Sequence, residues 1–161
     1  MSEVLEELKI KARTLVELVA KWVSEGGPRG LEKHNQEIYH LCSDIAETLL
    51  KPLKEYHRRM QVEAEKIEAE ARSSEDPNLL TLATSLKTLY RELELVTDVL
   101  KHGIAFVLAL FTEVYVPLQY EISGLELILG RLLEIQEKIV EEFENRLREQ
   151  EIKRGVERYT I

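Results

Sequence analysis

The chain has 161 residues, a charged fraction of 32% and a hydrophobic fraction of 44%, which is the balance of a folded helical chain rather than a disordered one. Thirty acidic against 22 basic residues give a formal charge of −8. That acidity argues against a phosphate backbone as partner. A single cysteine, Cys42, excludes an internal disulfide and a cysteine-based zinc site, and with a non-secretory N-terminus it suggests a cytoplasmic setting.

The first helix is expected over residues 3–24, with Ser2 as its cap and an apolar stripe of Leu5, Leu8, Ala12, Leu15, Val19 and Trp22. Trp22 is in register with the leucines and reads as a core residue. Glu25-Gly26-Gly27-Pro28-Arg29-Gly30 reads as a loop. A second helix is expected over 31–72, kinked near Pro52, whose ring removes a backbone donor and crowds the preceding turn. Its first part carries Leu31, His34, Ile38, Leu41 and Ile45. Its second carries a thinner stripe of Leu53, Tyr56, Met60, Ala64, Ile67 and Ala71.

Ser73-Ser74-Glu75-Asp76-Pro77 is a clear boundary, with Asp76 placed as an N-cap and Pro77 as the first helical residue. The helix that follows, 77–116, has a 3.5-residue repeat: Leu79, Leu82, Leu86, Leu89, Leu93, Val96, Leu100, Gly103, Val107, Leu110 and Val114. Between Ile104 and Phe111 every residue is apolar, so this segment needs cover on all sides. The wider apolar run from Ile104 to Leu118 is interrupted by Thr112 and Glu113 and is shorter than the roughly 20 residues of a spanning helix, so no transmembrane segment is expected. Pro117 either kinks or breaks the chain before a last helix, 118–154, carrying Leu118, Ile122, Leu125, Leu129, Leu132, Gln136, Ile139 and Phe143; Gly155 ends it and leaves a tail, 155–161. Glu→Lys/Arg pairs four apart, such as Glu7/Lys11, Glu17/Lys21 and Glu68/Arg72, mark the solvated faces.

These elements predict one all-α domain, an elongated antiparallel helical bundle of coiled-coil-like hairpins with proline kinks. The expected helices are unequal in length, which leaves apolar stripe uncovered and points to a homodimer or higher homo-oligomer. Breaks at Pro52 and Pro117 would instead give five helices filling a monomeric core. The abundance of Glu, Lys, Arg and Leu with few amides is a thermophile-like composition.

Catalytic and cofactor motifs are missing from the sequence. Glu37 and His40 form an E-x-x-H of the kind used by di-iron bundles, but there is no second such motif and His40 falls off the inner face. Asp98 and His102, four apart, could orient an imidazole or hold a metal with a third ligand; a surface contact explains them equally simply. Lys51, Lys54, Arg58 and Arg59 make the best local basic patch and a weak candidate for anion binding, diluted by Glu55. The expected interface residues are Leu100, Ile104, Phe106, Val107, Leu108 and Phe111. The leading expectation is therefore a non-enzymatic interaction or scaffold protein that partners itself, with another protein as a further candidate partner, and without a cofactor. The alternatives are a metal- or cofactor-binding bundle, and a membrane-surface or hydrophobic-ligand role for residues 104–118.

Overall fold

The computed structural model describes residues 2–114 and 123–153, and every element among them is helical. Five α-helices, α1 (Ser2–Gly26), α2 (Asn35–Leu49), α3 (Lys51–Ser74), α4 (Pro77–Val114) and α5 (Ser123–Lys153), are joined by a 3₁₀ helix over Gly27–His34. The chain is all-α, as its periodicities imply. Pro117, the apolar positions Leu118 and Ile122, and the tail from Gly155 lie outside the described residues.

Local chemistry accounts for the joints. Gly27 takes φ +68, the left-handed conformation that closes helix α1. Of the residues read as a loop, Glu25 and Gly26 complete α1 and Gly27–Gly30 open the 3₁₀ helix, which also takes residues 31–34, expected at the start of the second α-helix. A Cβ on Gly30 would fall well inside contact distance of the Trp22 carbonyl oxygen, so glycine allows this turn to lie directly on α1. The Pro52 ring sits in the first turn of α3, where no intrahelical donor is lost, and the helical run is interrupted at Leu50. Asp76 caps α4, its Oδ1 accepting the Asn78 N–H at 2.9 Å.

The described residues fall into two compact units, one within Met1–Lys51 and Asp98–Glu134, the other within Pro52–Thr97 and Ile135–Ile161. In the first, Leu8, Leu15, Val19 and Trp22 of α1 pack with Ile38, Cys42, Ile45 and Leu49 of α2, Leu108 of α4, and Leu125, Leu129 and Leu133 of α5. Trp22 also stacks on the His34 ring, with centroids 4.1 Å apart and planes within 6°. In the second, Tyr56, Met60, Ala64, Ile67 and Ala71 of α3 meet Leu79, Leu82, Ala83 and Leu86 of α4, with Val140 and Phe143 of α5 packed alongside.

Buried polar groups are tied into each unit. Thr48 Oγ1 accepts from Lys11 Nζ at 2.7 Å and donates to the Asp44 carbonyl. In the other unit the Gln136 amide oxygen accepts the Leu53 N–H at 3.0 Å. This N–H belongs to the first turn of α3 and has no partner within its own helix, so α5 caps α3 through a side chain.

Candidate interaction face on helix α4

The charged and titratable candidates are committed to one another or to solvent. Glu37 Oε1 lies 3.1 Å from His34 Nδ1, so its carboxylate is turned to His34 and away from the E-x-x-H spacing with His40. His40 is exposed at the edge of an open groove lined by Trp22, Gln36, Glu37 and Leu41. Asp98 and His102 are both exposed, and His102 Nδ1 lies 3.5 Å from the Tyr39 hydroxyl. Among the described residues no three His, Cys, Asp or Glu side chains converge as a metal site requires.

The basic patch is likewise engaged. Lys51 Nζ donates to Glu7 Oε2 at 2.7 Å, and this bond, with a second from Lys11, holds the Glu7 carboxyl below its ordinary range. Arg58 grips Glu55 with two bonds of 3.1 and 2.5 Å, Arg59 reaches Glu144 at 3.2 Å while lying over the Tyr56 ring, and Lys54 is engaged as well. An anion would have to displace a carboxylate from each of the three cations whose partners are named here.

Two buried groups have shifted acidities with structural causes. Burial pushes the Cys42 thiol up to about 11, the weak contact with Thr112 Oγ1 at 3.9 Å only partly opposing it. A thiol held this way is a packing group rather than a nucleophile. His57 is 5% exposed, and burial lowers its pKa below 6.5, with Glu94 pulling the other way. Thr97 gives its hydroxyl proton to the Leu93 carbonyl at 2.7 Å, so the His57 Nε2 that lies 3.5 Å from Thr97 Oγ1 must be the donor there.

Large apolar side chains are exposed on several helices, Leu127, Ile128, Ile135 and Ile139 of α5 among them, and most densely on α4. On α4, Leu95, Val96, Val99, Leu100, Phe106, Val107, Leu110 and Val114 are each between 42% and 73% exposed. The interface residues expected from the sequence divide accordingly. Leu100, Phe106 and Val107 lie on this open face; Ile104 and Phe111 are half-buried against the core; Leu108, at 4% exposed, lies inside the core. Val99, Leu110 and Val114, absent from that expected set, are on the open face. Leu110 and Val114 carried a signal in the heptad repeat, and Leu110 also in the unbroken apolar run; Val99 carried neither.

The reason for this division is a mismatch of periods. The buried side of α4 advances by elevens: Leu82, Leu93 and Ile104; Leu86, Thr97 and Leu108; Leu79, Tyr90, Lys101 and Thr112, all buried or half-buried. Eleven residues in three turns is 3.67 per turn, whereas the heptad stripe repeats at 3.5 and drifts by about 20° per heptad around a straight helix. A stripe that starts in the core at Leu79 has therefore swung out to solvent by Val107 and Val114. Thr97 and Thr112 take the inner positions, each bonding back to its own helix.

By length and composition α4 is the one helix among the described residues that could cross a membrane, although no such span is expected from the sequence; only 28% of its most apolar 18 residues is buried. No family model, no curated protein and no solved structure matches this chain.

Proposed function

We propose that this chain is a non-enzymatic helical interaction protein that works as a homo-oligomer, its helices forming a scaffold in a cytoplasmic setting. The observation that carries the reading is the open face of α4, which presents eight large apolar side chains to solvent. At about 100 Å² of exposed area apiece they offer about 800 Å², the area one partner gives to a standard stable interface and more than solitary soluble chains usually leave exposed. The engagement of Glu37, Lys51, Arg58 and Arg59 in local pairs supports a role in assembly over one in catalysis or anion capture.

Sedimentation equilibrium across nanomolar to micromolar concentration tests the reading. The expected result is a mass at least twice that of the 18.7 kDa chain. Phe106→Glu or Val107→Glu should raise the dissociation constant by at least about 100-fold, because each would bury an unpaired carboxylate. Glu137→Lys, at an exposed position outside the face, should leave it unchanged. A strict monomer at every concentration sinks the proposal.

A further inference from the structure

We propose that the assembly is a two-fold dimer in which the α4 helices of two copies cross antiparallel at Gly103. This rests on the self-association reading above and adds the geometry by which the copies meet.

Gly103 is the first observation. It stands in the middle of a 38-residue helix, where glycine is the poorest ordinary helix former. Nothing among the described residues calls for it: its φ is not in the left-handed region, and a Cβ there would meet none of their atoms within 4 Å. It lies exposed at the centre of the apolar face. A missing side chain in that place lowers the surface so that another helix can approach at backbone distance.

The second observation is the order of side chains around it. At 100° per residue, Val96, Val99, Leu100, Gly103, Phe106, Val107, Leu110 and Val114 share one arc about 120° wide. Within seven residues of the glycine they are symmetric about it; beyond that, Val114 has Glu92 as its counterpart. Three residues either side stand Leu100 and Phe106; four either side, Val99 and Val107; seven either side, Val96 and Leu110. A two-fold axis through Gly103 sets each member of a pair against the other member on the second copy. The sizes then match at the two inner pairs, large against large at Leu100 and Phe106 and valine against valine at Val99 and Val107, while Val96 meets the larger Leu110 further out. An isologous contact needs a patch that is complementary to itself, and this order supplies one.

Charge selects the antiparallel direction. No ionisable side chain lies on the arc between Glu92, which falls at its N-terminal end, and Val114. Parallel helices would set the two Glu92 carboxylates side by side; antiparallel helices crossing at Gly103 separate them by about 33 Å and oppose the helix dipoles favourably. Lys101, the one cation nearby, is turned away and half-buried beside Glu47 at 3.7 Å, so the face has no cation for an anionic headgroup.

Cysteine cross-linking of the full chain tests the crossing. The native thiol of Cys42 is fully buried, so the unmodified chain should stay uncoupled under copper–phenanthroline oxidation. Gly103→Cys should give a covalent dimer, because the axis brings its two copies within the 4.4–6.8 Å between Cα atoms that a disulfide spans, a range of about 2 Å. Val99→Cys alone should couple weakly, and Val99→Cys with Val107→Cys should couple strongly. Strong coupling by Val99→Cys alone would mean parallel helices and overturn the proposal. Because a new side chain at the crossing could itself part the copies, Gly103→Leu supplies a second readout. It should raise the dissociation constant at least ten-fold without unfolding the monomer, and an unchanged constant overturns the crossing. A native dimer that fails these tests refutes the geometry and leaves self-association standing. A chain that is monomeric and floats with anionic vesicles refutes both.

Discussion

At the scale of single residues, the informative positions are polar groups on faces that a hydrophobicity pattern assigns to apolar side chains. His57 is one. It carries no stripe signal, standing between Tyr56 of the apolar stripe and Arg58 of the basic patch, yet it is buried edge-on to Tyr90 at 6.5 Å between ring centres. Its burial favours the neutral ring, so the folded chain takes up the proton only at a pH below the unfolded value of 6.5. Between those two values the unfolded chain binds more protons, and stability must fall as pH falls through that window, levelling off once both states are protonated. His57→Phe removes the titration while keeping a ring beside Tyr90. Urea midpoints at about pH 8 and pH 5.5 should show wild type losing more stability on acidification than the variant. The carboxylates Glu7 and Glu55, held below 4.5, titrate lower and are common to both proteins, so they cancel in the difference. Equal losses in the two proteins would show that His57 is not buried neutral.

At the scale of elements, the helices were legible because glycine, proline and caps act locally. Asp76 with Pro77, Gly27, and Pro52 mark joints through their own backbone chemistry, which needs no knowledge of the rest of the chain. What could not be read is which apolar face of a long helix is used at home. The leucine repeat of α4 fits a 3.5 period, and the buried face follows 3.67. The difference becomes visible only once Thr97, Lys101 and Thr112 are known to lie on the inside. The face of Gln136 is legible, as the one polar member of the apolar series of the last helix, but its partner is not. Its amide oxygen accepts the first-turn Leu53 N–H, so Gln136→Leu should cost about 1–3 kcal/mol although it fills similar space, the cost being that of a buried donor left unpaired. Chemical denaturation measures the loss. A variant as stable as wild type would show that water serves Leu53 as well as the amide does.

At the scale of the whole molecule, the question is what drives copies together against their own charge. Each copy carries a formal −8, so two copies repel at long range, while the facing arc of the proposed contact, from Val96 to Leu110, carries no ionisable side chain. The two contributions respond to salt in the same direction. Screening shortens the repulsion from a Debye length of about 30 Å at 0.01 M to about 3 Å at 1 M, and apolar association is not weakened by the salt that screens it. Association should therefore tighten as sodium chloride rises over that range. The thermal midpoint should rise with protein concentration at fixed salt, because the dimer binds only the folded chain. In Phe106→Glu both dependences should disappear together. Association through the surface ion pairs would behave oppositely, since pairs such as Arg131 with Glu134, 3.4 Å apart and more than half exposed, weaken as salt screens them. Sedimentation equilibrium at low and high salt separates the cases, and a dissociation constant that rises with salt would place the interface somewhere other than α4.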